Sequence, residues 1–277
     1  MKPMGNLWIG TPGALHEIDQ AAKSFDRSAE LGVNEFKALG GRVTLTRNPS
    51  AVRRVKLGWE LLAPRHARLL DRLARRLDGS GPLVLVDPAA GNVLDLRQAA
   101  GKGDPGQTGM NQWFKVSVTG TVVESATVPG TFSFTATDVT GKLAWRARTW
   151  SNFPVAPGMR VSFHAPGAFA ALPTVTAQVD FKKADGTYLS TVSANGPLVT
   201  ATVPAEAAFA TPCAAPGAIG TYSLAGACLT YGGPAEQDVP GDGMPPMGIT
   251  GYSDTPARPQ PYRSIGLDLV EVSSATG

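Results

Sequence analysis

The sequence predicts a mainly β protein of the α+β type, in which a small domain of antiparallel strands and one helix carries an inserted antiparallel β-sandwich or jelly roll. Three observations support this fold class. The 277 residues include 32 glycines and 23 prolines, and these separate short periodic segments as turns separate strands. Apolar residues follow a helical period in one segment, residues 64–77. Eight or more segments after residue 113 have the length and alternation of short strands.

The first domain is predicted to begin with two strands and a helix. Residues 42–46 and 55–61 alternate between apolar and polar, and Asn48-Pro49-Ser50 between them indicates a hairpin. Pro64 occupies a favourable first-turn position for a helix with leucines on one face and arginines on the other. Residues 82–88 then form a continuous apolar segment, typical of a strand that is covered on both faces.

Changes in composition predict the domain boundaries. Residues 1–41 are irregular and are expected to form an N-terminal arm. The glycine-rich residues 105–112 are expected to be a linker, and residues 113–238 an inserted sandwich in which Asp185-Gly186 marks a hairpin turn. Strands predicted near 247–250 and 265–272 are not needed by an eight-stranded sandwich. We therefore expect residues 42–104 and 239–277 to form one discontinuous domain.

Charge and hydropathy exclude several classes of function. The net charge is +3 with 17% charged residues, and the clustered basic residues 65–76 alternate with leucines, which indicates a solvated helix face and no nucleic-acid partner. The N-terminus has no signal-peptide pattern, and no apolar run is long enough to span a membrane. We expect a soluble protein that folds in the cytoplasm, without membrane insertion.

The sequence offers no recognisable catalytic or metal-binding motif. His16, His66 and His164 have no nucleophile or carboxylate arranged near them, and the aspartates are scattered. Residues 101–106 fit the letters of a dinucleotide fingerprint, but Pro105 is unsuited to the helix that such a motif opens. We expect no catalytic residue, no cofactor and no metal. Cys213 and Cys228 can form a disulfide or remain two buried thiols.

Aromatic residues of the sandwich are the candidates for ligand binding. In residues 142–150, alternation places Trp145 on the core side and Trp150 on the opposite side with Arg148. Tyr188 follows the predicted Asp-Gly turn and is expected to be exposed. Exposed rings can stack on sugars, so the predicted carbohydrate-binding residues are Trp150, Tyr188 and Arg148. The alternative is that these residues pack at a domain junction.

Three stretches, taken together, resemble minor tail proteins of bacteriophages that infect actinobacteria. The first is residues 55–62, with the following Arg- and Leu-rich helix and residues 81–88. The second is residues 175–191, which include Ala184-Asp185-Gly186. The third is the ending, residues 261–272. The resemblance covers most of the chain in the same order, and it lies in the combination of stretches.

The resemblance implies a structural role in a phage tail. The first and last segments are similar to a tail-hub domain of the distal-tail or tail-tip type, and the middle is similar to a carbohydrate-binding jelly roll. The implied partners are other tail proteins and copies of this chain in a ring-like homo-oligomer, and the implied location is the virion tail, assembled in the host cytoplasm. The alternative function is a glycan-binding module that contacts the host cell surface. A glycosidase or esterase ranks far below both.

Overall fold

The computed structural model describes residues 6–48, 51–87, 91–103, 111–236 and 238–273. It confirms the mainly β class: the described residues form antiparallel sheets and three short helices. The helices are α1 (Pro64–Ala74), α2 (Leu96–Ala99) and α3 (Gly167–Ala170). The strands are β1 (Leu7–Thr11), β2 (Ala14–Ile18), β3 (Ser24–Glu30), β4 (Val33–Lys37), β5 (Val43–Arg47), β6 (Val52–Leu62), β7 (Val84–Val86), β8 (Trp113–Lys115), β9 (Gly120–Glu124), β10 (Phe132–Ala136), β11 (Leu143–Trp145), β12 (Phe153–Pro154), β13 (Arg160–His164), β14 (Thr176–Lys182), β15 (Tyr188–Asn195), β16 (Leu198–Thr202), β17 (Phe209–Ala215), β18 (Gly220–Ser223), β19 (Cys228–Tyr231), β20 (Met247–Pro256) and β21 (Arg263–Glu271).

The chain divides into two compact units. Unit 1 comprises Met1–Glu17 and Val84–Met244, and unit 2 comprises Ile18–Leu83 and Pro245–Gly277. These divisions differ from the expected boundaries at 104, 113 and 238. The segment that begins at Val84 belongs to unit 1. The fully buried Asn92 attaches it there, because the side-chain N–H groups of Asn92 donate to the carbonyls of Ala227 at 3.0 Å and Val239 at 2.8 Å.

Unit 1 is built around a β-sandwich core. One sheet has the order β15-β14-β17-β11-β8, with β12 also paired to β17, and another has the order β16-β13-β19. The alternation in β14 buries Ala177, Val179 and Phe181, because successive side chains of a strand point to opposite faces. The rings of Trp145 on β11 and Phe163 on β13 lie 5.0 Å apart, so the two sheets share one apolar layer.

Strand β17 lies inside the larger sheet and consists of small or apolar residues. Its first six residues are all buried, on both faces. Pro212 cannot donate a ladder hydrogen bond, yet the strand accommodates it. On the side of β11 and β12, β17 pairs at residues 209–210 with β12 and at residues 213–214 with β11. Pro212 therefore lies in the gap between these two short strands.

Unit 1 also includes two three-stranded sheets, which have the strand orders β18-β10-β9 and β2-β1-β7. Phe134 on β10 and Tyr222 on β18 pack against Phe169 of α3, with ring centroids 6.4 Å and 5.2 Å from it. Ile9 on β1 is fully buried. Residues 7–18, expected to belong to an irregular arm, are thus strands with buried side chains.

Unit 2 contains a four-stranded antiparallel sheet with the order β20-β21-β6-β3, and α1 contacts β20 and β21. The register sets Leu267 opposite Leu57 and Leu269 opposite Val55, and all four side chains are buried. Helix α1 begins at Pro64, as predicted, and buries His66, Ala67, Leu70 and Leu73. The final strand predicted at 265–272 is β21, which lies beside β6.

The predicted hairpin between residues 42–46 and 55–61 is wrong, although both strands exist. Strand β5 pairs with β4, whereas β6 pairs with β3 and β21. Both edges of β6 are therefore occupied, and β5 finds its partner in a stretch that was expected to be irregular. Of the predicted turn, Pro49 and Ser50 lie outside the described residues, as do residues 105–110 of the predicted linker.

Candidate functional site

The predicted carbohydrate-binding residues are each held by a different partner. Trp150 is half-buried against the core of unit 1, and its indole N–H donates to the Met244 carbonyl at 2.9 Å. The Arg148 guanidinium pairs with Asp95 at 3.3 Å. Tyr188 is 59% exposed, and its hydroxyl donates to Thr191 at 3.0 Å. Of the three, Tyr188 alone offers a largely open ring, and Trp145, as predicted, is fully buried.

Tyr188 belongs to a polar network on the outer face of the larger sheet. The Thr191 hydroxyl donates to Asp180 at 2.5 Å, and the Lys142 ammonium lies 3.5 Å from the same carboxylate. The Cys213 thiol donates to Asp180 at 3.5 Å. These groups link β15, β14 and β17, and the Lys142 and Asp180 side chains are only 20% and 17% exposed. The network is suited to holding the sheet together.

The two cysteines are buried thiols that are not joined to each other, so the disulfide that the sequence allowed does not form in the structure. They lie on β17 and β19, which belong to different sheets. Burial, followed by the neighbouring Asp180, raises the pKa of the Cys213 thiol far above its ordinary value. Cys213 therefore stays protonated and is a poor nucleophile.

The histidines do not gather into a reactive cluster. His16 is exposed on β2, while His66 is buried in α1 with its Nδ1 3.4 Å from Asp19. His164 is half-buried at the end of β13, where burial lowers its pKa and the charge of Asp238 opposes that effect. Within the described ranges, no group of three or more His, Cys, Asp or Glu side chains could hold a metal ion.

The described helices include none long and apolar enough to cross a membrane.

A pocket of about 250 Å³ in unit 1, here called the Trp8 pocket, is lined by residues that the sequence did not single out. Its apolar wall is formed by Trp8, Val86, Met159 and Tyr231, and its polar groups come from Asn6, Glu17, Asp87 and Arg160. The residues come from five separate stretches of the chain. No local motif could therefore have revealed them, although the apolar run Leu7-Trp8-Ile9 signals a buried strand.

Hydrogen bonds fix the walls of the Trp8 pocket. Asn6 donates its side-chain N–H to Glu17 at 2.6 Å. The Tyr231 hydroxyl donates to the Pro154 carbonyl at 2.9 Å, and burial raises the pKa of this phenol, which keeps the donor in place. The Gly232 N–H donates to the Arg160 carbonyl at 2.8 Å. The Arg160 guanidinium itself makes no hydrogen bond or ion pair with the described part of the chain.

A second unusual surface is the exposed hairpin, defined as residues 31–47 with strands β4 and β5. Every residue of both strands is exposed, and within the described residues the two strands form a sheet of their own. The hairpin nevertheless carries large apolar side chains, with Phe36 68% and Leu45 62% exposed. The others are Leu31, Val33, Leu39 and Val43.

Comparisons with known proteins do not assign a family. No family model matches the chain, and no curated protein matches it. Among solved structures, the chain is similar to the arabinose-bound α-L-arabinofuranosidase MgGH51, with a TM-score of 0.31 and 13% sequence identity. The similarity covers 51% of this chain and 26% of that enzyme. A likeness this distant gives no indication of function.

Proposed function

We propose that this protein is a structural component of a bacteriophage tail, of the minor or distal tail type, which assembles at the tail tip with copies of itself and with other tail proteins. The role is not enzymatic. The observation that carries the proposal is the exposed hairpin, whose apolar side chains are suited to burial against a neighbouring subunit. The sequence resemblance to phage minor tail proteins supplies the particular assembly.

The hairpin is poorly suited to standing alone in water. A two-stranded ribbon without a covering layer is at best marginally stable. The register places Val33, Val43 and Leu45 on one face, where each lies opposite a charged residue of the partner strand. Val33, Val43 and Leu45 are 44%, 52% and 62% exposed, so covering all three would contribute roughly 2–5 kcal/mol, about half of the 1.5–3 kcal/mol expected for each fully exposed side chain. Charges beside the apolar residues would fix the position of the partner.

Unit 2 also has strand edges that a neighbour can use. Among the described residues, β3 and β20 are the outer strands of its four-stranded sheet, and the outer edge of β20 is paired at Met247, with Leu83. An open edge in an isolated protein risks uncontrolled association, whereas in a closed ring it pairs with the next subunit. Subunits of a tail ring would meet in this way. These edges support the proposed location in the virion tail, in which the exposed hairpin would lie across an adjacent copy.

The alternative function, a glycan-binding module built on Trp150, Arg148 and Tyr188, has weaker support. The indole N–H of Trp150 and the guanidinium of Arg148 are both engaged within unit 1. Tyr188 remains as an exposed ring, but a single ring gives little specificity. Sugar binding by this surface is thus a secondary proposal that can coexist with assembly.

The size of the purified protein in solution tests the assembly role. We expect the full-length chain to form an oligomer in light scattering after size exclusion. A triple variant, Val33→Thr, Val43→Thr and Leu45→Thr, should shift it towards the monomer because it removes apolar surface and retains strand propensity. The control, Thr44→Ser with Thr46→Ser, changes the other hairpin face and should leave the oligomer intact.

Labelling of virions tests the location. An antibody raised against the chain should mark the tail tip of a phage that encodes it in electron micrographs. A wild-type chain that is monomeric at all concentrations, together with virions that lack the label, would exclude the proposed function.

A further inference from the structure

The Trp8 pocket combines groups that suit a small neutral ligand rich in hydroxyls. Glu17 and Asp87 are acceptors when ionised, and Arg160 is a donor only. The two carboxylates disfavour an anion, and an ammonium group, which only donates hydrogen bonds, cannot accept one from the guanidinium. A hydroxyl group can donate to a carboxylate and accept from a guanidinium, so adjacent hydroxyls satisfy both kinds of group at once.

Two of these polar groups have unused hydrogen-bonding capacity. Glu17 accepts from Asn6 through Oε1, and its Oε2 accepts no bond from the described residues. The guanidinium of Arg160 is also unengaged within those residues. Its backbone, in contrast, is fixed in β13 opposite Thr202 and bonded to Gly232. The strand therefore fixes the position from which the Arg160 side chain reaches the pocket wall.

The apolar wall provides the second part of the recognition. Trp8 is half-buried and packs partly against the core of unit 1, so its ring is held firmly. The hydroxyl of Tyr231 points away to Pro154, which leaves its ring as apolar surface. An aromatic wall facing charged hydrogen-bonding groups matches a pyranose, which has one face of C–H groups and a rim of hydroxyls.

The volume limits the size of the ligand. About 250 Å³ is below the roughly 300–1,000 Å³ of pockets for drug-sized molecules. One ring fits this space better than an oligosaccharide does. We propose that the Trp8 pocket binds a single neutral pyranose residue, such as the end of a glycan chain. The inference concerns unit 1 alone and does not depend on the proposed assembly role.

Saturation-transfer NMR on the full-length protein tests this proposal. The probes are the methyl glycosides of glucose, galactose, mannose and N-acetylglucosamine, with methyl glucuronide as the anionic comparison and glucosamine as the cationic one. At least one neutral glycoside should bind, with a dissociation constant on the order of millimolar, as expected for so few atoms. The charged probes should bind more weakly.

Variants then assign the binding to this pocket. Arg160→Ala should weaken binding by roughly tenfold or more, because it removes a charged hydrogen-bond donor. Its exposed side chain should leave the melting temperature unchanged. Trp8→Phe should weaken binding less, because it keeps an aromatic wall. Arg68→Ala removes the same charge from the exposed face of α1 in unit 2 and should have no effect.

Three results would overturn the proposal. They are the absence of binding by every neutral glycoside, equal binding by wild type and Arg160→Ala, and tighter binding of the glucuronide than of the neutral probes. None of them bears on the oligomeric state, so the two proposals fail or succeed separately.

Discussion

At the residue scale, alternation predicted the environment of some side chains and missed that of others. Trp145 was predicted to be in the core from the period of its strand, and it is fully buried. Trp150 lies beyond the end of β11, where the period of two no longer applies. Its indole instead finds the Met244 carbonyl. Local alternation cannot predict a contact with a residue so distant in sequence. For the same reason, it did not predict that Trp8 and Arg160 line a common pocket.

His164 is expected to make the stability of the protein depend on pH. Burial lowers its pKa in the folded state, and its Nδ1 is buried with no hydrogen-bond partner among the described residues. As the pH falls through about 6.5, the unfolded chain takes up a proton that the folded chain resists. We therefore expect the melting temperature to fall between pH 7.5 and pH 5.5.

Two variants isolate this contribution in thermal melts. His164→Leu should show a smaller fall in melting temperature over the same pH range, whereas His16→Leu, at an exposed position of β2, should retain the full fall. An unchanged fall in His164→Leu would show that other groups cause the pH dependence.

At the element scale, the positions of strands were more predictable than their partners. Residues 43–47 and 52–62 are strands as the alternation indicated, but they do not pair with each other. Pairing depends on which edges other strands leave open, and β3 and β21 occupy both edges of β6. The Asp185-Gly186 turn was predictable because its conformation is local, and it joins β14 and β15 in the register of a hairpin.

The same turn provides a test of backbone conformation. Gly186 has a φ of +84°, and a Cβ at that position would meet no atom within 4 Å. Gly186→Ala should therefore destabilise the protein through backbone strain alone, by about 1–2 kcal/mol, in urea unfolding. Gly233→Ala serves as the control in the same unit, because Gly233 has equal space and lies outside the left-handed region. Equal stability of the two variants would contradict the assignment.

At the scale of the whole molecule, the fold class followed from composition, while the unit boundaries did not. Just before the predicted linker, residues 105–112, Lys102 bridges to Thr131 and Ala100 to Ala225. These contacts attach residues 100–102 to unit 1, whereas residues 105–110 lie outside the described residues. Composition carries no record of such long-range pairings, so it could not show where unit 1 begins.

Unit 2 should fold without residues 84–244. The Leu83 N–H donates to the Met247 carbonyl at 2.7 Å, and the Met247 N–H donates to the Leu83 carbonyl at 2.8 Å. The two ends are therefore already side by side. Residues 18–83 joined to 245–277 through a Gly-Asn-Gly turn should give a β-rich circular dichroism spectrum and a cooperative melt. Adding Leu267→Asp should abolish the cooperative melt, because that position is buried. A linked protein without cooperative unfolding would contradict the prediction.

The buried strand β17 also affects how the sequence can change over evolutionary time. Six of the seven residues in its sequence Phe-Ala-Thr-Pro-Cys-Ala-Ala are buried, so larger side chains would clash with their neighbours and destabilise the fold. Strand β15, in the same sheet, is exposed along much of its length. Natural variation should accumulate on β15 and spare β17, so a newly acquired binding specificity could arise at the rim of this sheet without loss of its centre.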